Sequence, residues 1–255
     1  MLLALDVGNT NITVGLFDGT ELHDSFRLET VHSRTADEYG LSMRALLAGA
    51  GIAPEKLDDV IVASVVPVVT GTMELMVRRL FKRTPLIVGP GFKTGMPVLY
   101  NPPKDVGADR IVNGVAAYER TKSACIVVDF GTATTFDSIT SRGEYAGGAI
   151  APGLKLAMDA LFTRTAKLPK VDVGRPEQVV GKSTVESIQS GCFFGYVGLV
   201  DGLVSRMKRE MESPVRVIAT GGLATVIAGE AASIEEIDEN LTLDGLRILY
   251  DRNRA

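Results

Sequence analysis

The feature that most constrains this chain is a short motif that occurs twice. The first copy is an apolar run followed by Asp6-Val-Gly-Asn-Thr10, and the second is an apolar run followed by Asp129-Phe-Gly-Thr-Ala133. In both copies the aspartate ends a predicted strand, a glycine follows two residues later, and small residues lead into another predicted strand. Asp129 lies 123 residues after Asp6, close to half of the 255-residue chain. A repeat at that spacing predicts an internal duplication, with two similar halves.

Each copy has the residue types of a phosphate-binding turn. Glycine leaves no side chain in the way, so main-chain N–H groups of the turn can approach an anion closely. An ordinary hairpin with a polar turn would explain a single copy equally well. The second copy favours phosphate binding, because two facing turns can clamp the phosphates of a nucleotide.

The predicted secondary structure also repeats. The first half is predicted as a meander of three strands, a helix that opens with a capping box at Thr35–Glu38, a buried strand over 60–66, a helix that ends near Arg83, and a strand over 86–88. The second half is predicted as strands over 124–129, 132–139 and 144–150, then helices and a strand over 215–219. We therefore predict an α/β fold of two duplicated ribonuclease-H-like (actin-like ATPase) domains with a central cleft. The predicted limits are 1–118 and 119–255.

The composition restricts the class of function. The chain has 27 Lys and Arg against 31 Asp and Glu, with no basic block, which argues against a nucleic-acid partner. No stretch approaches the ~18 continuous apolar residues of a membrane span, and the N-terminus lacks the pattern of a signal peptide. We therefore expect a cytoplasmic protein without a membrane partner. Cys125 and Cys192, which have no Cys-x-x-Cys spacing, are predicted to be reduced core thiols.

A long segment rich in proline and glycine, 89–107, is predicted to be an irregular loop between the halves. It leads to Asp109 in the first turn of a predicted helix. An acid there commonly compensates the helix dipole, and it could also act as a general base at the mouth of the cleft. Later in the chain, Gly221-Gly222 is either a simple turn or a place where adenosine lies against the backbone. Gly181-Lys-Ser-Thr184 is not a P-loop, because Pro176 stands where that motif requires glycine.

A long helix predicted from Thr184 to Glu212 contains four regularly spaced glycines, namely Gly191, Gly195, Gly198 and Gly202. Their spacing of four, three and four places them on one stripe of the helix. Each glycine costs about 1 kcal/mol in a helix interior unless something packs closely against it. We expect the stripe to receive the helix of a second subunit, the alternative being a neighbouring element of the same subunit.

Taken together, these segments resemble the type III pantothenate kinases over essentially the whole chain. The resemblance rests on six segments, which are Asp6-Val-Gly-Asn-Thr-Asn-Ile-Thr13, Tyr100-Asn-Pro-Pro103, Gly107-Ala-Asp-Arg110, Asp129-Phe-Gly-Thr-Ala-Thr-Thr135, Gly147-Gly-Ala-Ile-Ala-Pro-Gly153 and Thr184. It implies ATP-dependent phosphorylation of pantothenate to 4'-phosphopantothenate, the first step of coenzyme A synthesis. The wider superfamily includes acetate and sugar kinases, heat-shock chaperone ATPases and actin.

The resemblance also implies roles for individual residues. The residues implied to hold ATP are Asp6, Val7, Gly8, Asn9, Thr10, Asn11, Ile12, Thr13 and Thr132. Those implied to hold pantothenate are Tyr100, Gly107, Ala108, Asp109, Arg110 and Thr184. Asp109 would be the catalytic base, Asp129 would bind a monovalent cation (K⁺ or NH₄⁺), and Asp6 would hold Mg²⁺ mostly through water. The family also implies a homodimer.

Two other functions are compatible with the same residues. One is a kinase of the same fold that acts on another small alcohol. The other is a non-enzymatic regulator that binds a nucleotide, although the acid at Asp109 argues against it. ATP turnover that depends on pantothenate would separate both from a pantothenate kinase.

Overall fold

The computed structural model describes residues 1–211 and 214–254. Their contacts divide the chain into two compact units. The first unit contains Met1–Met96, Asn101–Ala116 and the described residues from Thr242 onward, and the second contains Pro97–Tyr100 and Ala117–Leu241. Each unit is built on one five-stranded mixed sheet.

The sheet of the first unit has the strand order β3-β2-β1-β4-β5. Its strands are β1 Leu2–Val7, β2 Asn11–Asp18, β3 Glu21–Glu29, β4 Asp59–Ser64 and β5 Leu86–Ile87. The first three strands pair antiparallel, whereas β4 pairs parallel with β1 and β5 pairs parallel with β4. The helices are α1 Ala36–Gly49, α2 Pro67–Phe81 and α3 Ala108–Thr121, the last of which continues into the second unit.

Local sequence explains several boundaries in this unit. The predicted capping box is confirmed, because Glu38 N–H donates to Thr35 Oγ1 and Thr35 N–H donates to Glu38 Oε2, at 3.3 and 2.7 Å. The strand predicted over 60–66 ends at Ser64, because Pro67 already occupies the first turn of α2. The apolar run of β4 is buried from Val60 to Ala63, as expected for a strand covered on both faces.

The sheet of the second unit has the order β10-β9-β6-β7-β8. Its strands are β6 Cys125–Phe130, β7 Ala133–Ile139, β8 Tyr145–Pro152, β9 Arg216–Thr220 and β10 Glu236–Ile237. Its helices are α4 Leu154–Arg164, α5 Thr184–Glu210 and α6 Ala224–Ile227. Read from its other end, this order reproduces that of the first sheet, with β6 in the place of β1 and β9 in the place of β4. The predicted duplication and fold class are therefore confirmed.

The last helix, α7 Leu241–Asn253, packs on the first unit. A Cβ at Gly245 would lie 2.3 Å from the carbonyl oxygen of Val112 in α3, so this crossing has no room for a side chain. Tyr250 also donates a hydrogen bond of 2.6 Å to Asp59 at the start of β4. The division predicted from the sequence assigned 119–255 to the second half and did not identify this helix, and the domain limits 1–118 and 119–255 stay a prediction.

The long helix α5 begins at Thr184, as predicted, although its N-cap is Ser183, whose side chain accepts a hydrogen bond from Glu186 N–H. It is helical as far as Glu210. The predicted end at Glu212 lies outside the described residues.

Candidate functional site

The first Asp-x-Gly turn joins β1 to β2 and is held by hydrogen bonds at both of its sides. Gly8 N–H donates to the Asn11 carbonyl at 3.0 Å. The Thr30 hydroxyl donates to the Gly8 carbonyl at 2.7 Å, and Thr30 N–H donates to the Thr10 carbonyl at 2.9 Å. Residues 9–11 are exposed, whereas Thr30 is buried. The turn is therefore a fixed, solvent-facing loop of backbone at the end of a buried strand.

The carboxyl ends of β1 and β4 lie side by side, since the two strands are parallel and Asp6 is in register with Ala63. Beyond the strands, Val65 N–H donates to the Val7 carbonyl at 3.1 Å. Open sheets with parallel strands bind ligands at this edge. The residues that follow β4 are thus direct neighbours of the first turn.

Asp109 lies at the same edge of the first sheet. A Cβ at Gly107 would lie 2.5 Å from Asp109 Oδ1 and 3.5 Å from the Cγ1 of Val65, so the carboxylate lies over Gly107 in the neighbourhood of Val65. Arg110 N–H donates to Asp109 Oδ1 at 2.8 Å. Burial raises the pKa of Asp109, and the backbone hydrogen bond and charge of Arg110 oppose this only in part. The first unit thus has a half-buried carboxylate of increased basicity close to a phosphate-type turn.

The second Asp-x-Gly turn packs against two other glycines of its own unit. Gly153 N–H donates to the Thr132 carbonyl at 3.1 Å, and a Cβ at Gly153 would lie 2.2 Å from the same oxygen. Gly221 has a φ of +92°, and a Cβ there would lie 2.4 Å from Asp129 Oδ1. Both positions therefore require glycine, because any side chain would displace the turn.

The contact between Gly221 and Asp129 follows from strand register. Strands β6 and β9 are parallel, and Asp129 is opposite Thr220, the residue that precedes Gly221. The double glycine is thus a neighbour of the Asp129 carboxylate at the carboxyl edge of the second sheet. The sequence indicated either a simple turn at Gly221-Gly222 or a place where adenosine lies against the backbone. The structure shows the Asp129 carboxylate against Gly221, and the adenosine interpretation stays a prediction.

Tyr100 lies in the second unit, where the segment Pro97–Tyr100 joins the edge of β8. Its ring makes an edge contact with Tyr145, with 6.5 Å between the ring centroids. It also lies 3.6 Å from the position that a Cβ of Gly147 would occupy. The Tyr100 ring therefore lies beside Gly147, at ordinary van der Waals distance from that position.

Comparisons with known proteins agree with this geometry. The family model for type III pantothenate kinases matches residues 2–206. The chain is 57% identical over 254 residues to the type III pantothenate kinase of Anaeromyxobacter sp. (strain K), with all of both chains covered. It is 53% identical over 255 residues to that of Myxococcus xanthus (strain DK1622), again over both full lengths. The chain belongs to the type III pantothenate kinase family.

A solved structure with low sequence identity to this chain also supports the fold. The inorganic polyphosphate/ATP-glucomannokinase of Arthrobacter sp. strain KM matches with a TM-score of 0.51 at 14% identity, over 99% of each chain. The family resemblance and the predicted fold of two ribonuclease-H-like (actin-like ATPase) domains are therefore both confirmed.

The two units share the residues to which the family resemblance assigns roles. The first unit contains Asp6 to Thr13 and Gly107 to Arg110, and the second contains Tyr100, Asp129, Thr132 and Thr184. Thr184 is exposed at the first residue of α5. Their individual roles stay predictions.

Sequence reasoning missed two buried polar residues near Tyr100. Tyr145 and Asp137 are both 0% exposed, and the Tyr145 hydroxyl donates to Asp137 Oδ1 at 2.7 Å. A possible signal was the acid itself, because Asp137 interrupts a strand whose neighbours Phe136 and Ile139 are core residues.

Among the residues that the structure describes, no helix is both long and apolar enough to span a membrane. Cys125 is fully buried, and burial raises its pKa to about 11, which makes the thiol a poor nucleophile. Cys192 is only partly buried, and burial also raises its pKa. The expectation of a core position thus holds for Cys125 and less well for Cys192.

Proposed function

We propose that this chain transfers the γ-phosphoryl group of ATP to the hydroxyl of pantothenate, yielding 4'-phosphopantothenate, with Asp109 as the general base. The observation that carries this proposal is the Asp109 carboxylate, which is half-buried on the same sheet edge as the first glycine turn. Such phosphoryl transfer needs a positioned acceptor hydroxyl, a group that takes its proton, and neutralisation of the phosphate charge.

Asp109 meets the requirement for a base. Desolvation raises its pKa, and a base becomes more effective as its pKa approaches the working pH. The hydrogen bond from Arg110 N–H fixes one carboxylate oxygen and leaves the other in a defined direction. We therefore assign Asp109 Oδ2 as the oxygen that accepts the proton of the substrate hydroxyl.

The pantothenate-binding residues have the chemistry that this substrate requires. Pantothenate carries its own carboxylate and amide groups, and a guanidinium pairs well with a carboxylate. Arg110 supplies such a group, while Tyr100 and Thr184 supply hydroxyls and, in the case of Tyr100, an aromatic face.

The phosphates of ATP are assigned to the two glycine turns, with Asp6 to Thr13 in one unit and Thr132 in the other. The donor set near the first turn suits magnesium, which prefers oxygen ligands and keeps several of its waters. Asp6 would hold the ion mostly through water. The ion would supply positive charge to the β- and γ-phosphates.

The second turn suits a larger monovalent cation. The Asp129 carboxylate lies against Gly221. The carbonyl oxygens of Gly131 and Thr132 both lie close to the Cβ position of Gly153. Residues 129–132 thus supply both carboxylate and carbonyl oxygens. An anion next to phosphates would repel them unless a cation intervened. We therefore assign Asp129 to K⁺ or NH₄⁺.

A homodimer formed through α5 is part of this proposal. A Cβ at Gly191, Gly195 or Gly198 would meet nothing within 4 Å, and one at Gly202 would meet only the Arg206 side chain of the same helix, at 3.2 Å. No described element outside α5 therefore fills the glycine stripe. Apolar side chains are exposed nearby on the same helix and on α4, which packs against it, including Val185 at 43% and Phe162 at 45%. These observations favour a second subunit over an intramolecular partner. We place the enzyme in the cytoplasm.

The experiment that tests the function is a coupled assay of ADP production with purified protein. We expect turnover only when ATP, Mg²⁺ and pantothenate are all present, and more of it in potassium than in sodium. ADP production that is independent of pantothenate, or stimulated instead by another small alcohol, would replace this function with a related kinase. Tight ATP binding without any turnover would favour a nucleotide-dependent regulator.

A further inference from the structure

Tyr145, the first residue of β8, holds the segment that carries Tyr100 through its own backbone. Its N–H donates to the Pro97 carbonyl, and its carbonyl accepts from Leu99 N–H, both at 2.8 Å. These two bonds and the parallel bridge to Val98 attach Pro97–Tyr100 to the second sheet. One buried residue therefore determines where this segment lies.

The side chain of Tyr145 acts on the same segment. Its ring meets the Tyr100 ring edge-on, with an angle of 62° between the ring planes. At its other end the Tyr145 hydroxyl donates to Asp137 Oδ1 at 2.7 Å, while the Thr135 hydroxyl donates to Asp137 Oδ2 at 3.0 Å. Both oxygens of a carboxylate that is 0% exposed are thus hydrogen-bonded.

The energetics make this arrangement rigid. A buried carboxylate is tolerated only when hydrogen bonds replace its lost hydration, so loss of either donor is costly. Asp137 therefore fixes the Tyr145 hydroxyl, and with it the direction of the ring on which Tyr100 rests.

The other end of this network lies beside the second glycine turn. Thr135 is three residues after Thr132, and Asp129 is opposite Thr135 in the β6–β7 pairing. Four side chains of a single unit, those of Thr135, Asp137, Tyr145 and Tyr100, thus define the position of the Tyr100 ring relative to the turn assigned to the nucleotide.

We propose that Asp137 and Tyr145 are positioning residues for pantothenate, which act by holding Tyr100 at a fixed place relative to the phosphate-binding turn. This inference rests on the proposed function and adds to it two residues that do not themselves touch the substrate. Their effect is on the affinity for pantothenate, because they determine where Tyr100 stands, and not on proton transfer at Asp109.

The first test is Tyr145→Phe, which removes one hydroxyl and retains the ring. We expect KM for pantothenate to rise about tenfold, the effect of one hydrogen bond, while kcat and KM for ATP change less than about twofold. Tyr118→Phe is the matched control, because its hydroxyl donates at 3.3 Å to the Ser141 carbonyl in the same unit without contacting Tyr100. The control should leave kcat and the KM values for pantothenate and ATP unchanged.

A double-mutant cycle tests whether Tyr145 acts through Tyr100. Tyr100→Ala should raise KM for pantothenate by itself, and adding Tyr145→Phe should then raise it no further, since the element being positioned is gone. Hydrogen exchange gives a second readout. The Leu99 amide should exchange faster in Tyr145→Phe than in the wild type, whereas amides of β6 should keep their protection.

The outcomes separate this inference from the proposed function. If the wild type shows no pantothenate-dependent turnover, the proposed function fails. If the wild type is active but Tyr145→Phe keeps its KM for pantothenate, or if the two substitutions act additively, the positioning role is wrong while the function stands. If Tyr145→Phe does not fold, Asp137→Asn takes its place, because it keeps the size and one acceptor. It should raise the same KM by a smaller factor, and an unchanged KM would again overturn the inference.

Discussion

The two sheets have the same strand order but differ in the residue that comes after the strand next to the glycine turn. In the first unit β4 continues into Val65, whose side chain lies close to the Asp109 carboxylate. In the second unit β9 continues into Gly221, which has no side chain and lies directly against Asp129. The duplication thus preserved the sheet and the turn, while the residue after this strand differs between the two halves.

This difference has chemical consequences for the two carboxylates. Burial withdraws Asp109 from water and raises its pKa, which favours a role as base. A glycine neighbour lets the Asp129 carboxylate lie directly against the backbone of Gly221, and the role proposed for this carboxylate is that of cation ligand. If this comparison holds, substitution of Asp109 in the first unit should affect proton transfer, and substitutions in the second unit should affect the response to monovalent cations and the assembly.

The largest effect is expected for Asp109→Asn. The amide keeps the shape and the hydrogen bond from Arg110 but cannot accept a proton, so kcat should fall by about 10²–10⁴-fold, the usual contribution of a general base. Nucleotide binding, measured by calorimetry, should be unchanged. Asp105→Asn is the control, because this exposed acid lies in the short 3₁₀ turn just before α3. A loss of less than about tenfold would remove Asp109 from the role of base.

The second prediction compares Asp6 with Asp129. Asp129→Asn should abolish the difference between potassium and sodium buffer, with a loss of about tenfold or more in potassium, equivalent to about 1.4 kcal/mol of transition-state stabilisation. Asp6→Asn should weaken Mg²⁺-dependent ATP binding and retain the preference for potassium. If Asp6→Asn removed that preference instead, the assignment of the two turns would have to be reversed.

The third prediction concerns α5, whose glycine stripe belongs to the second unit. Gly195→Leu should fold normally, because a Cβ there meets nothing within 4 Å, but it should be monomeric by light scattering. KM for pantothenate should rise by roughly 5- to 30-fold, the factor that 1–2 kcal/mol gives, and more than KM for ATP, because Thr184 begins the same helix.

Gly49→Leu is the matched control for this variant. It introduces the same side chain at an exposed glycine of α1 in the first unit, where a Cβ also meets nothing within 4 Å. This variant should resemble the wild type in assembly and kinetics. A monomeric wild type at micromolar concentration, or a fully active dimeric Gly195→Leu, would place the functional interface away from the glycine stripe.

The fold could be predicted from the sequence because its signals are local and repeated. The Asp-x-Gly motif, the apolar strands and the Thr35 capping box each lie within a few residues. The position of α7 could not be predicted, because it depends on contacts such as Tyr250 with Asp59, which are 191 residues apart. A helix periodicity does not indicate which sheet the helix will cover.

The sequence was sufficient to predict which residues belong to the candidate site, but not which of them contact each other. The sequence pointed to Asp109, Asp129 and the double glycine separately. The contact between Gly221 and Asp129 depends on the parallel register of β9 with β6. The sequence of either segment alone does not predict which strands are neighbours in the sheet. The Tyr145–Asp137 pair was missed for the same reason, because a bulge near Ser138 determines which residues of β7 and β8 face each other.

The smallest effect is expected on stability, again for Asp109→Asn. Because burial raises the pKa of Asp109, the folded protein disfavours the ionised carboxylate, so its contribution to stability is complete below the unfolded pKa near 3.8 and is lost as the pH rises through the folded pKa. The amide carries no charge and avoids this loss. At neutral pH, Tm of Asp109→Asn should therefore exceed that of the wild type by a few degrees, and the gap should close as the pH is lowered toward about 4. Asp105→Asn, at an exposed acid, should show no such pH-dependent gap. A wild type that is the more stable of the two at neutral pH would mean that Arg110 outweighs desolvation, and Asp109 would then lack the increased basicity that favours a role as base.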